Sequence, residues 1–137
     1  EDRFRILERI VFLENELAEI AKFQRVGRQD YEDSKSLRRE MERWVENIIN
    51  AQIDIAKIIL ASEKKEMPKT YEDVLSKFAV LAGLDEQETG VVAGFARLRN
   101  ILAHEYLDIL YQRIASFIDQ FPPLYIKISA FLKEYLK

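Results

Sequence analysis

A chain of 137 residues with no cysteine and one histidine can bury an ordinary core as one domain, but it has no thiolate or disulfide chemistry and no histidine cluster for a zinc site. Its formal net charge of -3 excludes a broad basic surface for nonspecific nucleic-acid binding, which needs many Lys and Arg contacts, and leaves room only for a small local one. No apolar run nears the ~20 residues that span a bilayer, and the charged start EDRFR is unlike a signal peptide, so one soluble, cytoplasmic domain over residues 1–137 with no membrane contact is expected.

With 4 Gly and 3 Pro and apolar residues at helical spacing, the chain reads as all-α. The first helix is expected over residues 3–26, where Ile6, Ile10, Leu13, Leu17 and Ile20 form one stripe and Gly27 supplies a stop. A second, over residues 31–62, carries Leu37, Met41, Trp44, Ile48, Ile55 and Ile59, with Val45, Ile49 and Ile53 widening the apolar face. Such width implies burial against more than one neighbour, with Trp44 in the core. The charged segment EKKEMPKT is a loop, and Thr70 can cap a short helix that runs to residue 82, with Asp73 near its first-turn amides and Gly83 as its end. Another helix begins near Asp85. The last part, from about residue 107, is helical on both sides of Pro122-Pro123, a pair expected to break or sharply bend it. The sum is a four- or five-helix bundle.

No G-x-x-x-x-G-K-[ST] phosphate loop, G-x-G-x-x-G fingerprint or internal repeat is present, which excludes the common α/β nucleotide folds. Arg25, Arg28, Arg38, Arg39 and Arg43 are interspersed with Asp30, Glu32, Asp33, Glu40 and Glu42 and read as solvated charge rather than as a basic patch. The informative stretch is RLRNILAHEY, residues 97–106, which holds the lone histidine. On a wheel of ~100° per residue, Val91, Phe95, Leu98 and Leu102 make a core stripe, and Asn100 and His104 fall nearly opposite. Gly90, Ala93, Gly94, Ala96, Asn100 and Ala103 avoid that stripe and suggest a small-residue face for a partner.

Arg99 and His104 are ~140° apart on an ideal helix, so one straight helix cannot bring them together. They converge only if the helix ends or distorts near His104, or if a two-fold partner brings the same motif alongside. If they do converge, the pair suits RNA phosphodiester cleavage: a histidine, whose ordinary pKa lies near neutrality, moves a proton, and an arginine fork holds the phosphate. No metal or other cofactor is then required. A dimer would supply two histidines and two arginines to one cleft.

The run Arg99-Asn100-Ile101-Leu102-Ala103-His104-Glu105-Tyr106 resembles the R-x4-H-x-Y signature of HepT-like proteins in the HEPN superfamily. The preceding PKTYEDVLSKFAVLAGL and AGFARLRN are similar to the same family. The resemblance implies an all-helical HEPN-type bundle that forms a homodimer, and a toxin ribonuclease paired with a minimal nucleotidyltransferase antitoxin of the MntA type. It makes Arg99 and His104 the catalytic positions, Asn100 their polar neighbour and Tyr106 the tyrosine that the antitoxin modifies with AMP; no metal is implied.

Two other readings accompany this one. The domain is a non-catalytic HEPN module that binds a nucleotide or docks a nucleotidyltransferase through the same cleft, or it is a structural helical dimer in which Arg99 pairs with Glu105 or Asp108 and His104 is incidental. A small nucleotidyltransferase encoded alongside would separate the toxin from a stand-alone module.

Overall fold

The computed structural model describes residues 1–102, 104 and 106–137. Among them are seven helices and no strand: α1 (Asp2–Leu17), α2 (Ile20–Gln24), α3 (Arg28–Asp33), α4 (Lys35–Ser62), α5 (Tyr71–Leu81), α6 (Glu86–Ile101) and α7 (Leu107–Tyr135). The fold is an all-α bundle, as expected, built on the five helices longer than ten residues. Helix α4 packs against α1, α3, α5 and α6, while α7 packs against α2, α3 and α6. Among the described residues, no helix is long and apolar enough to cross a membrane.

The wide apolar face of α4 is its dominant feature. Met41, Trp44, Val45, Ile48, Ile49, Ile53, Ile55, Ile58 and Ile59 are all buried. An aromatic column ties α4 to α6 and α7: Trp44 meets Phe117 edge-on with centroids 6.2 Å apart, Phe117 meets Phe95 at 5.0 Å, and Phe121 stacks between Phe117 and Tyr125 at 5.1 and 5.5 Å. These separations lie in the range where aromatic pairs add to simple area burial.

Local signals placed several boundaries correctly. Thr70 Oγ1 accepts from the Asp73 amide at 3.1 Å and starts α5. Asp85 and Glu88 form a reciprocal capping box, each side chain accepting from the other's amide, and start α6. Gly83, at φ 88, closes α5: its amide donates to the Val80 carbonyl and that of Leu84 to the Ala79 carbonyl, both at 3.0 Å, the bonding of a left-handed C-terminal cap.

Four expectations need correction. The first helix does not run to Val26; it turns at Ala18 and Glu19, where the Glu19 amide bonds the Glu16 carbonyl. The same carbonyl accepts the Trp44 indole N–H at 2.6 Å, and the turn lets Phe23 reach Trp44, with ring centroids 4.7 Å apart. A buried indole that needs an acceptor thus outweighs the continuous apolar spacing. Gly27 is not a stop but the residue before α3, where its amide donates to Asp30 Oδ2 at 3.1 Å. The second helix is divided at Ser34, which is extended and caps α4 by accepting from the Leu37 amide at 3.1 Å.

The fourth correction concerns Pro122 and Pro123, which lie inside an uninterrupted α7. Two backbone donors are missing there, but Phe121, Leu124 and Tyr125 are buried on either side of the pair, and Pro123 faces solvent. Core packing of this face outweighs the local penalty.

Helix α1 keeps a second apolar row away from the bundle. Phe4 and Val11 are each 59% exposed, with Leu7 and Phe12 beside them.

Gln52, 2% exposed on α4, finds no hydrogen-bond partner for its amide among the described residues. An unpaired buried amide costs about 1–3 kcal/mol. Gln52→Leu, which keeps most of the volume, is therefore expected to raise the unfolding free energy by about 1 kcal/mol or more, read from the midpoint of urea denaturation at unchanged slope.

Candidate functional site

Arg99 lies in the last turn of α6, and three elements hold its guanidinium. Its Nε donates to Asn50 Oδ1 on α4 at 2.5 Å, and Nη1 donates to Asn100 Oδ1 at 3.2 Å. The guanidinium carbon sits 5.3 Å from the centroid of Tyr71, the first residue of α5. A guanidinium has five N–H donors, so these two bonds leave three for a ligand. Among the described residues Arg99 makes no ion pair, so its charge is held by neutral partners.

Arg97, two residues earlier, is arranged differently. Its Nη1 meets Glu72 Oε2 at 2.5 Å, and its Nη2 lies 3.2 Å from where a Cβ on Gly94 would stand. Arg97 is thus neutralised along the seam between α5 and α6, over a glycine that gives it room. One arginine of the motif closes a surface ion pair, and the other remains available to an anion.

Helix α6 ends at Ile101, and the His104 amide then closes a turn on the Ile101 carbonyl at 2.9 Å. The helix therefore stops before His104, which meets one of the two conditions for convergence. His104 is exposed. Tyr106 is extended, immediately precedes α7 and is 81% exposed; its carbonyl accepts from the Leu110 amide at 3.0 Å. Among the described residues, no hydrogen bond joins Arg99 to His104.

The small-residue face is narrower than the wheel suggested. Ala93 and Ala96 are buried within the chain's own core, Val92 rather than Val91 is the buried valine, and Gly94 lies beneath Arg97. Helix α5 packs directly on α6, and Arg97 meets Glu72 across that seam. Gly90 and Asn100 stay exposed, and Ala103 lies outside the described residues. The alternative ion pair of Arg99 with Asp108 is absent, and Glu105 lies outside the described residues.

Arg99 is therefore an arginine that neutral groups hold at a helix end, followed in the chain by an exposed histidine and an exposed tyrosine. A sequence model of the family described as Ribonuclease HepT-like matches residues 13–131. The chain belongs to the HepT-like ribonuclease family. No curated protein matches it. The HepT-like match runs from Leu13 in α1 to Phe131 in α7 and so contains Asn50, Tyr71, Arg99, Asn100, His104 and Tyr106.

Two of these residues were not picked out as site residues from sequence. Asn50 is half-buried within INAQI, between residues that are buried on both sides, and a polar residue in that row, as Gln52 also is, was a usable signal. Tyr71 stood in the PKTYEDV segment, but nothing in its spacing ties it to an arginine on another helix.

The Asn50 contact gives a direct prediction. In wild-type protein the Arg99 Nε–H should give a distinct NMR resonance protected from exchange with water. In Asn50→Ala that protection should fall severalfold while the amide spectrum of the bundle is retained. Unchanged protection would mean that Asn50 does not hold the guanidinium.

Proposed function

We propose that this HepT-like protein is a metal-independent endoribonuclease that acts as the toxin of a HepT/MntA-type toxin-antitoxin pair, with Arg99 and His104 as catalytic residues and Asn100 in support. The observation that carries this reading is the arrangement of Arg99, fixed by Asn50 and Tyr71 with three donors to spare, a short turn from exposed His104. Donors fixed before the substrate arrives need no reorganisation when charge builds on the phosphate.

In the proposed reaction the RNA 2′-oxygen attacks the adjacent phosphorus and the bond from phosphorus to the 5′-oxygen breaks. One imidazole takes the 2′-hydroxyl proton, and an imidazolium gives a proton to the departing 5′-oxygen. Arg99 donates to the non-bridging oxygens, whose charge grows as the phosphorus becomes five-coordinate. The products are a 2′,3′-cyclic phosphate and a 5′-hydroxyl. A homodimer with the 90–104 segments near its two-fold axis would supply one histidine for each proton transfer.

Arg99→Ala and His104→Ala are each expected to lower RNA cleavage by about 10²-fold or more and to relieve growth inhibition, with unchanged circular dichroism, because neither side chain belongs to the core. Cleavage should persist in EDTA. Wild-type cleavage by His104→Ala would reject the catalytic role, and RNA binding without turnover by the wild-type protein would favour the binding-module reading.

Tyr106 is the proposed switch. Its 81% exposure suits a hydroxyl that an MntA-type nucleotidyltransferase must reach. The tyrosine oxygen would attack the α-phosphorus of ATP, releasing pyrophosphate and leaving AMP on the side chain. That adduct places bulk and negative charge where an RNA phosphate approaches Arg99. After co-expression with the neighbouring nucleotidyltransferase, intact-mass spectrometry should show AMP additions on the wild type and none on Tyr106→Phe. Neutralisation of both proteins with no mass change would instead mean inhibition by binding alone.

A further inference from the structure

Tyr71 carries a second cation. Lys57 Nζ lies 5.6 Å from the centroid of the ring that Arg99 approaches at 5.3 Å. The two charges are therefore no farther apart than those distances taken together. Like charges that share one ring repel each other, and the negative face of the ring offsets part of that repulsion.

Among the described residues, no carboxylate forms an ion pair with either cation. Acidic residues number 24 against 21 Lys and Arg, and Arg5, Arg9, Lys22, Arg43, Arg97, Lys127 and Lys137 all pair with one. Among the described residues, neither Lys57 nor Arg99 does. Two cations that share one aromatic ring, one of them also held by an amide, form a site suited to an anion that carries charge at more than one point.

The backbone fixes the spacing. Asn50 and Lys57 are seven residues apart on α4, about two turns and ~10 Å along the same face. Asn50 holds Arg99 at the first of these positions, and Lys57 stands at the second, with Tyr71 across from both. Lys57 also borders an open groove with Asp2, Arg5, Arg9 and Asp54, so it is reached from solvent along α4.

We propose that Lys57 binds a second phosphate of the RNA, next to the one held by Arg99, and that Tyr71 is the positioning residue that sets the distance between the two. This rests on the ribonuclease reading and extends it: the substrate is gripped at two phosphates, so an oligonucleotide is preferred over a substrate with one phosphodiester. Tyr71 touches no reacting atom. It holds both cations.

The test separates binding from cleavage. Affinity for a short single-stranded RNA carrying a 2′-deoxy residue at the scissile position is measured against salt for wild type, Lys57→Met and Lys57→Arg. One lost phosphate contact should make the slope of log affinity against log salt shallower by about 0.7 in Lys57→Met, and Lys57→Arg should restore it. On a cleavable oligonucleotide kcat/KM should fall about tenfold in Lys57→Met, whereas cleavage of a dinucleoside monophosphate should be unchanged. Tyr71→Phe should behave as wild type, and Tyr71→Leu should lose affinity for the oligonucleotide while circular dichroism stays unchanged.

An unaltered slope in Lys57→Met, or an equal loss on the dinucleoside monophosphate, overturns the second phosphate site while leaving the roles of Arg99 and His104 intact. A wild-type protein that neither binds nor cleaves any RNA overturns both readings together.

Discussion

The burial of α4 is the constraint on which the rest of the molecule depends. Four other helices lie against it, and within the run from Ile48 to Ile53 every residue except Asn50 is buried. A helix packed on so many sides has few places for a polar side chain whose hydrogen bonds must be met. Asn50 sits at one of them, and its carbonyl oxygen takes the Nε–H of Arg99. The arginine is thereby referred to the central helix of the bundle as well as to its own helix end.

The same packing separates the two arginines of the motif. With α5 packed on α6, Arg97 lies at the seam and meets Glu72, while Arg99 turns toward Tyr71 and α4. The surface pair at Arg97 contributes little to stability, but it uses a nearby carboxylate that would otherwise compete for a cation. Arg99 keeps neutral partners, and in the proposed reaction these leave its full charge for a phosphate. The different surroundings of the two arginines follow from which side of α6 each occupies.

Much of the bundle was legible in the sequence because its signals are local. Thr70, Gly83 and Asp85 act through backbone groups within a few positions, so their roles follow from residue type and spacing. The turn after Leu17 and the continuity of α7 through two prolines were not legible, because distant residues decide them: Trp44 captures the Glu16 carbonyl, Phe121 meets Phe95, and the Tyr125 hydroxyl donates to Glu14. The site divides in the same way. Arg99, Asn100, His104 and Tyr106 stand together in one stretch, whereas Asn50 meets Arg99 across 49 positions of chain, and Lys57 and Tyr71 join it only through helix packing.

The central claim is that Arg99, already held by Asn50, and His104 act on one RNA phosphate at a cleft between two copies. A crystal structure of His104→Ala bound to an RNA with a 2′-deoxy residue at the scissile position tests it most directly. The account predicts two copies around one RNA strand, Arg99 donating to the scissile phosphate while its Nε remains on Asn50, and the position of residue 104 within one side-chain length of that phosphate. RNA bound on another face, or an Arg99 that must leave Asn50 to reach the phosphate, would contradict it.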